Sequence, residues 1–342
     1  MKLLQFSLLL FLLTFSINGF SQETQIAPLT IEFKPATMAI STPAVLVIAK
    51  FRYRKPPNTS HWSRKNMIGF DMNEISFSNW NAGGVSSISG LIKGEFTRTR
   101  TLEKSKWFNE LIIRYGVNKQ DGYEVRKSDD AIRFTSTFGY RKDTLSNWYH
   151  SAKFNFNTQF ANGYNYPITS PAISRPFAPA YTFLGVGAEY FNKKKKLDIY
   201  ISPLTMKNTL VLDQNLANQG AFGVTKAEYD LAGNLISEGA RSKTELGFLV
   251  TSSYKKEVVK NITMENRLSL YSDYINKFGN IDVDWELKFD LIVNQYVKAN
   301  IGTHIIYDDD IKTAKEINGE QVVMGPKIQL KQILGVGLTY TF

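Results

Sequence analysis

The chain has no cysteine among its 342 residues, which excludes a disulfide framework and a lipid-modified cysteine anchor. Histidine is nearly as scarce. Only His61, His150 and His304 occur, leaving little material for a metal centre or a histidine-based triad. Beyond residue 21 no uncharged apolar run reaches the ~18 residues that a membrane-spanning helix needs. The net charge is +10, but the basic residues do not form a stripe interleaved with exposed aromatics. Nucleic acid is therefore not an expected partner.

What is present begins with a leader-like segment. Lys2 precedes a mostly apolar stretch from Leu3 to Phe15, and Gly19 and Ser21 offer small residues before a cut at Gln22. This pattern predicts a signal peptide over 1–21 and export. Residues 22–65 carry several prolines, no steady period and a basic cluster, and read as a periplasmic N-terminal extension.

From residue 66 onward, alternation dominates. In 281–293, Ile281, Val283, Trp285, Leu287, Phe289, Leu291 and Val293 share one face. Asp282, Asp284, Glu286, Lys288 and Asp290 share the other. Segments of about 10–14 residues with several charges on the polar side fit a transmembrane β-barrel better than a sandwich. In lipid such a sheet has to close, because no edge can stay unpaired. The segments predict an all-β fold: a closed antiparallel barrel of about twelve strands over 66–342. Short connections (99–106, 142–146, 192–196, 255–260, 294–295) alternate with longer ones (118–129, 161–180, 214–241, 308–325). With the short set periplasmic, the long set becomes extracellular. In 197–213 the apolar parity shifts after Pro203, which predicts a bulge.

The last segment, LGVGLTYTF (334–342), places Leu338, Tyr340 and Phe342 on its apolar face. Such an ending is similar to the signal by which the barrel assembly machinery recognises its precursors, and these three residues are the candidate assembly signal. Tyr340 and Phe342 also suit an interfacial aromatic girdle.

Parity turns a mixed set of charges inward. The candidate lumen-lining residues are Glu245, Glu265, Arg267, Asp282, Asp284, Glu286, Lys288, Asp290, Lys298 and His304. They could form ion-pair ladders that fill the interior, or walls of opposite sign with an acidic one on 281–293. In the hairpin 281–307, partners whose numbers sum to 588 leave the turn 293–295. That register sets Asp290 against Lys298 and Asp284 against His304. Asp308, Asp309 and Asp310 lack calcium-loop spacing and read as a solvated acidic loop, so no metal is expected. No motif marks a catalytic serine or a cofactor cradle, and neither enzyme activity nor a cofactor is expected.

Several stretches together resemble a known family. NWNAGG (79–84), RKSDD (126–130), NWYHSAKFNFNTQF (147–160), GYNYP (163–167), IYDDD (306–310) and the ending LGVGLTYTF look like an uncharacterised outer-membrane β-barrel family of Bacteroidetes, a domain of unknown function. The similarity covers roughly residues 60 to 342. It implies an outer-membrane location and brings no catalytic residues. The expectation is a passive channel or transporter for small polar solutes, with outer-membrane lipid and the assembly machinery as partners. The alternative is a non-conducting structural or interaction barrel with an ion-paired lumen; a barrel phospholipase ranks below both.

Overall fold

The computed structural model describes residues 61–76, 85–275, 278–310, 312–317 and 320–342. The expected signal peptide, nearly all of the expected extension and the NWNAGG motif lie outside the described residues. Twelve strands form a closed antiparallel barrel. In chain order they are β1 (Trp62–Ile75), β2 (Ser87–Thr101), β3 (Ser105–Gln120), β4 (Arg126–Tyr140), β5 (Trp148–Thr158), β6 (Ala180–Asn192) and β7 (Leu197–Leu210). After an excursion the wall resumes with β10 (Ser242–Val259), β11 (Ile262–Asp273), β12 (Asp282–Ile292), β13 (Val297–Tyr307) and finally β16 (Gln329–Thr341). Every neighbour in the ring is sequential among these twelve, and β16 closes onto β1. At that seam Met67 faces Thr341, and the backbones of Asn66 and Phe342 exchange two hydrogen bonds of 3.0 Å.

The barrel starts four residues earlier than expected. Trp62–Lys65 show no apolar alternation, yet their backbone pairs with Thr97–Arg100. Pairing needs only N–H and C=O groups, so a polar strand end is invisible to a hydrophobic pattern. Three connections are also clearly shorter than expected. β2 and β3 leave only 102–104 between them, β3 and β4 run on until only 121–125 separate them, and β10 continues to Val259, leaving a two-residue turn with Asn261 at φ 66°. A left-handed asparagine there is the usual chemistry of a tight hairpin. The long connections carry their own structure. The segment between β7 and β10 holds helix α1 (Gln214–Asn218) and a small hairpin of β8 (Glu228–Tyr229) and β9 (Leu235–Ser237). The expected loop 308–325 contains a second hairpin, β14 (Lys312–Ile317) with β15 (Glu320–Pro326).

The parity break at Pro203 is a bulge. Pairing of β7 shifts between Val186 and Ala188 on one neighbour and between Gly247 and Leu249 on the other. Proline cannot donate to the ladder, so the strand steps past it. Ser202 Oγ donates to the carbonyl of Val186 or of Leu204, at 2.9 and 3.0 Å, and the Tyr274 hydroxyl donates to the Pro203 carbonyl. At the same point Gly187 lies on the Ile201–Ser202 backbone, where a Cβ would have no room. The strand stays single, and twelve stands.

The barrel is apolar outside and polar inside, the reverse of a water-soluble barrel. Ile68, Phe70, Ile92, Leu184, Val186, Leu204, Met206, Ile301, Leu334 and Val336 are all exposed on the outer wall. Their inward neighbours include buried Asp71, Glu110, Glu189, Lys207, Glu245 and Asn300. An apolar band of this extent would drive aggregation in water.

Candidate functional site

The interior holds a cavity of about 1060 Å³ whose lining runs from Lys193 and Lys196 at the short-turn end to Asp308 and Phe222 at the long-loop end. Its walls are built by the inward residues of nearly every strand. At mid-height these side chains meet across the lumen. Arg267 on β11 makes a two-pronged contact with Glu110 on β3, at 2.7 and 3.1 Å. Arg133 on β4 reaches Glu286 on β12 at 3.1 Å, and Arg114 on β3 reaches the same carboxylate at 3.0 Å. β3 and β11 stand six places apart in the ring of twelve, as do β4 and β12, so these bonds join opposite walls. Arginine suits such a crossbar, being long, permanently charged and able to grip a carboxylate with two parallel bonds.

Towards the short-turn end lies a second charged knot. Lys106 Nζ sits 2.8 Å from Glu189 and 3.1 Å from Asp198, and 3.5 Å from the Phe191 ring centroid. Glu189 is 1% exposed and also accepts from Ser151 Oγ at 3.2 Å. Burying a carboxylate this deeply requires such partners. Towards the long-loop end, Lys207 Nζ lies 2.7 Å from Asp282, 3.6 Å from Glu245 and 3.6 Å from Asp308. Lys243 joins Glu245 at 3.3 Å and pairs with Asp310. The acidic triplet is therefore not a free loop. It folds onto the mouth, where oxygens of Asp282, Asp308 and Asp309 come within 4.8 Å of one another.

Glu265 sits between Lys255 at 2.6 Å and Arg267 at 2.8 Å, and Lys288 pairs with Asp290 at 3.0 Å on the same strand. Lys298 faces Ile292 and Gly337 near the short-turn end. The hairpin register differs from the expected one. Asp290 faces Asn300, Glu286 faces His304, and the turn is the four residues 293–296. Asn294 explains the extra residue, because its Oδ1 accepts from the backbone N–H of both Tyr296 and Val297 at 2.8 Å. Asp284 and His304 still meet, diagonally, with Oδ1 and Nε2 2.7 Å apart. Leu338, Tyr340 and Phe342 point outward from the seam, and the last two rings stack at 5.5 Å.

Parity reasoning missed Lys106, Asp129, Lys207 and Lys255. Lys106, Asp129 and Lys255 fell inside expected turns that are strand. Lys207 stood beyond the bulge, although the alternation Thr205, Lys207, Thr209 against Leu204, Met206, Leu210 marks it as inward.

Comparison with known proteins gives a family match over part of the chain. Residues 72–164, from the end of β1 through β5, match the family described as "Protein of unknown function (DUF3078)". No curated protein matches the chain. Among solved structures, the chain is similar to the translocator domain of autotransporter NalP from Neisseria meningitidis, with 10% identity and a TM-score of 0.36. That likeness covers 84% of this chain and 90% of that one. It is also similar to an outer-membrane channel from Pseudomonas putida F1, with 9% identity and a TM-score of 0.37, covering 82% and 95%. The β domain of the Bordetella autotransporter BrkA gives 11% identity and a TM-score of 0.31, covering 82% and 99%.

Proposed function

We propose that the chain is an outer-membrane β-barrel acting as a passive channel for small polar solutes. The apolar exterior and polar interior suit a hydrocarbon slab, and a closed ring leaves no backbone edge unsatisfied there. Both described barrel termini lie at one end with the connections 102–104, 141–147, 193–196, 260–261 and 293–296, while the longest connections lie at the other end together with the five-residue 121–125, as expected when the former set faces the periplasm. The observation that carries the reading is the cavity that reaches from the turn lysines to the acidic mouth alongside the crossbars. The crossbars make the passage narrow, so selection would fall on small solutes.

The same crossbars favour a second reading, a sealed barrel braced by ion pairs. Planar-bilayer recording separates the two. The channel reading expects small, ohmic steps with a charge-dependent reversal potential under a salt gradient. A silent membrane containing correctly folded barrel overturns it in favour of the braced one. Location has its own test. Leu287→Arg, on the outer face of β12, should cost about 2–4 kcal/mol of folding free energy in lipid if that face meets the bilayer midplane. A cost near zero would overturn a membrane location for this face.

A further inference from the structure

The outer mouth combines three features that the mid-lumen lacks. The first is charge imbalance, since four carboxylates (Asp282, Asp308, Glu245, Asp310) share two ammonium groups, Lys207 and Lys243. The second is aromatic wall. Tyr181, Phe183 and Tyr271 line the same cavity. Tyr271 is 3% exposed, and its buried hydroxyl has no hydrogen-bond partner.

The third is a lid held in an unusual conformation. Asp213 Oδ1 caps α1 through the Leu216 N–H at 3.0 Å, and Leu216, Ala217, Val211, Val224 and Ala178 pack into a small apolar core. From that core the chain turns through Gly220, Phe222 and Gly223 with φ of 71°, 59° and 82°. Left-handed backbone is ordinary for glycine and strained for phenylalanine, so surrounding structure has to hold Phe222 there. The ring packs on the apolar core and lines the lumen cavity, and Gly223 lies against Asp310.

The chain already displays the ligand chemistry of this vestibule. The Lys207 ammonium lies among Asp282, Asp308 and Glu245 with its Nζ 5.1 Å from the Tyr271 ring centroid. Carboxylates on one side and an aromatic face on the other are what a poorly hydrated organic cation selects. A hard divalent ion would gain from the oxygens alone and nothing from the rings.

We propose that this vestibule is a binding site for organic amines: a protonated amino group held by Asp282 and Asp308, with a compact apolar body against Phe222 and Tyr271. The proposal deepens the channel reading, resting on it only for passage beyond the mouth. Dansylcadaverine, a primary amine with an aromatic body, is a suitable probe, and dansylglycine carries the same fluorophore with a negative charge. Fluorescence anisotropy on the full chain folded in detergent should show saturable amine binding, with the anion bound about tenfold more weakly. Asp308→Asn and Phe222→Ala should each weaken the amine several-fold, roughly 3- to 10-fold. Heat-modifiable mobility on gels selects folded variants, and the two substitutions act on different segments, so one misfolded variant leaves the other informative. Equal binding of amine and anion, or amine binding untouched by both substitutions, overturns the site. A silent bilayer with amine binding intact defeats the channel and supports the site. Conduction without amine binding does the reverse.

Discussion

Mid-lumen and outer mouth use the same residue types to different ends. At mid-height, Arg114, Arg133 and Arg267 meet Glu110, Glu265 and Glu286, so charge is matched, and all of these bonds but the one between Arg267 and Glu265 on β11 tie distant strands together. At the mouth, carboxylates outnumber lysines and the contacts stay within one sector of the ring. Balance produces a brace, because paired charges have little left to offer a ligand. Imbalance produces a field, which steers and selects ions. The axis of the barrel thus separates holding shape from recognising solutes.

The contrast breaks first at Glu286. Glu286→Gln removes the carboxylate shared by two guanidinium groups and leaves Arg133 without its crossbar, while Arg114 keeps Asp129 at 3.4 Å. Breaking a largely buried pair on one side costs more than the pair contributes, and about 3 kcal/mol is expected. Urea unfolding in detergent micelles measures it, and an unchanged midpoint would show that the crossbars brace nothing.

Lys207→Gln tests the other half with a smaller effect. Glu245, Asp282 and Asp308 lose their common cation, and Lys243 remains as the nearest replacement. A loss of about 2 kcal/mol is expected. In a bilayer under a salt gradient, the reversal potential should move towards greater cation preference. A shift towards anions would mean that the mouth does not set selectivity.

The sequence made one of these two regions easier to read than the other. Alternation along 281–293 placed Asp284 and Glu286 inside, whereas the parity shift at Pro203 announced the bulge without revealing that it aims Lys207 inward. Parity reports only which wall a residue leaves, not what it meets. Arg267 and Glu110 are 157 residues apart, and only closure of the ring sets them face to face. The hairpin register failed for a local reason: the Asn294 side chain supports a longer turn that no count of charge pairs could reveal. The mouth was least legible, since Phe222 stands in a connection with no period and its position depends on glycines and a small apolar core around it. Its acidic triplet looked like solvated loop because the lysines that neutralise it lie on strands about 70 to 100 residues earlier.

The smallest expected effect supplies a control in water for both regions. Asp230 heads the tip of the β8–β9 hairpin and is fully exposed, with no lysine among its hydrogen-bond partners. Its Oδ1 accepts from the N–H of Ala232 at 2.9 Å and of Asn234 at 2.7 Å, and its Oδ2 accepts from the Asn234 amide at 2.9 Å. The Asn234 side chain, followed by these backbone donors, holds the carboxyl below its ordinary value. A lowered folded pKa means that the stabilisation is fully present above the unfolded value of about 3.9 and is lost as pH falls through the folded one. NMR of the Ala232 and Asn234 amides should therefore show a titration midpoint below that of free aspartate. Asp230→Asn should abolish this titration while leaving the urea midpoint of the barrel unchanged, because an exposed turn carries none of the crossbar load. A midpoint at or above the free value would mean that the turn does not hold the carboxylate, and the comparison would lose its solvent reference. If Asp230→Asn instead lowered barrel stability as Glu286→Gln is expected to, distance from the lumen would not be what distinguishes a bracing carboxylate from an ordinary one.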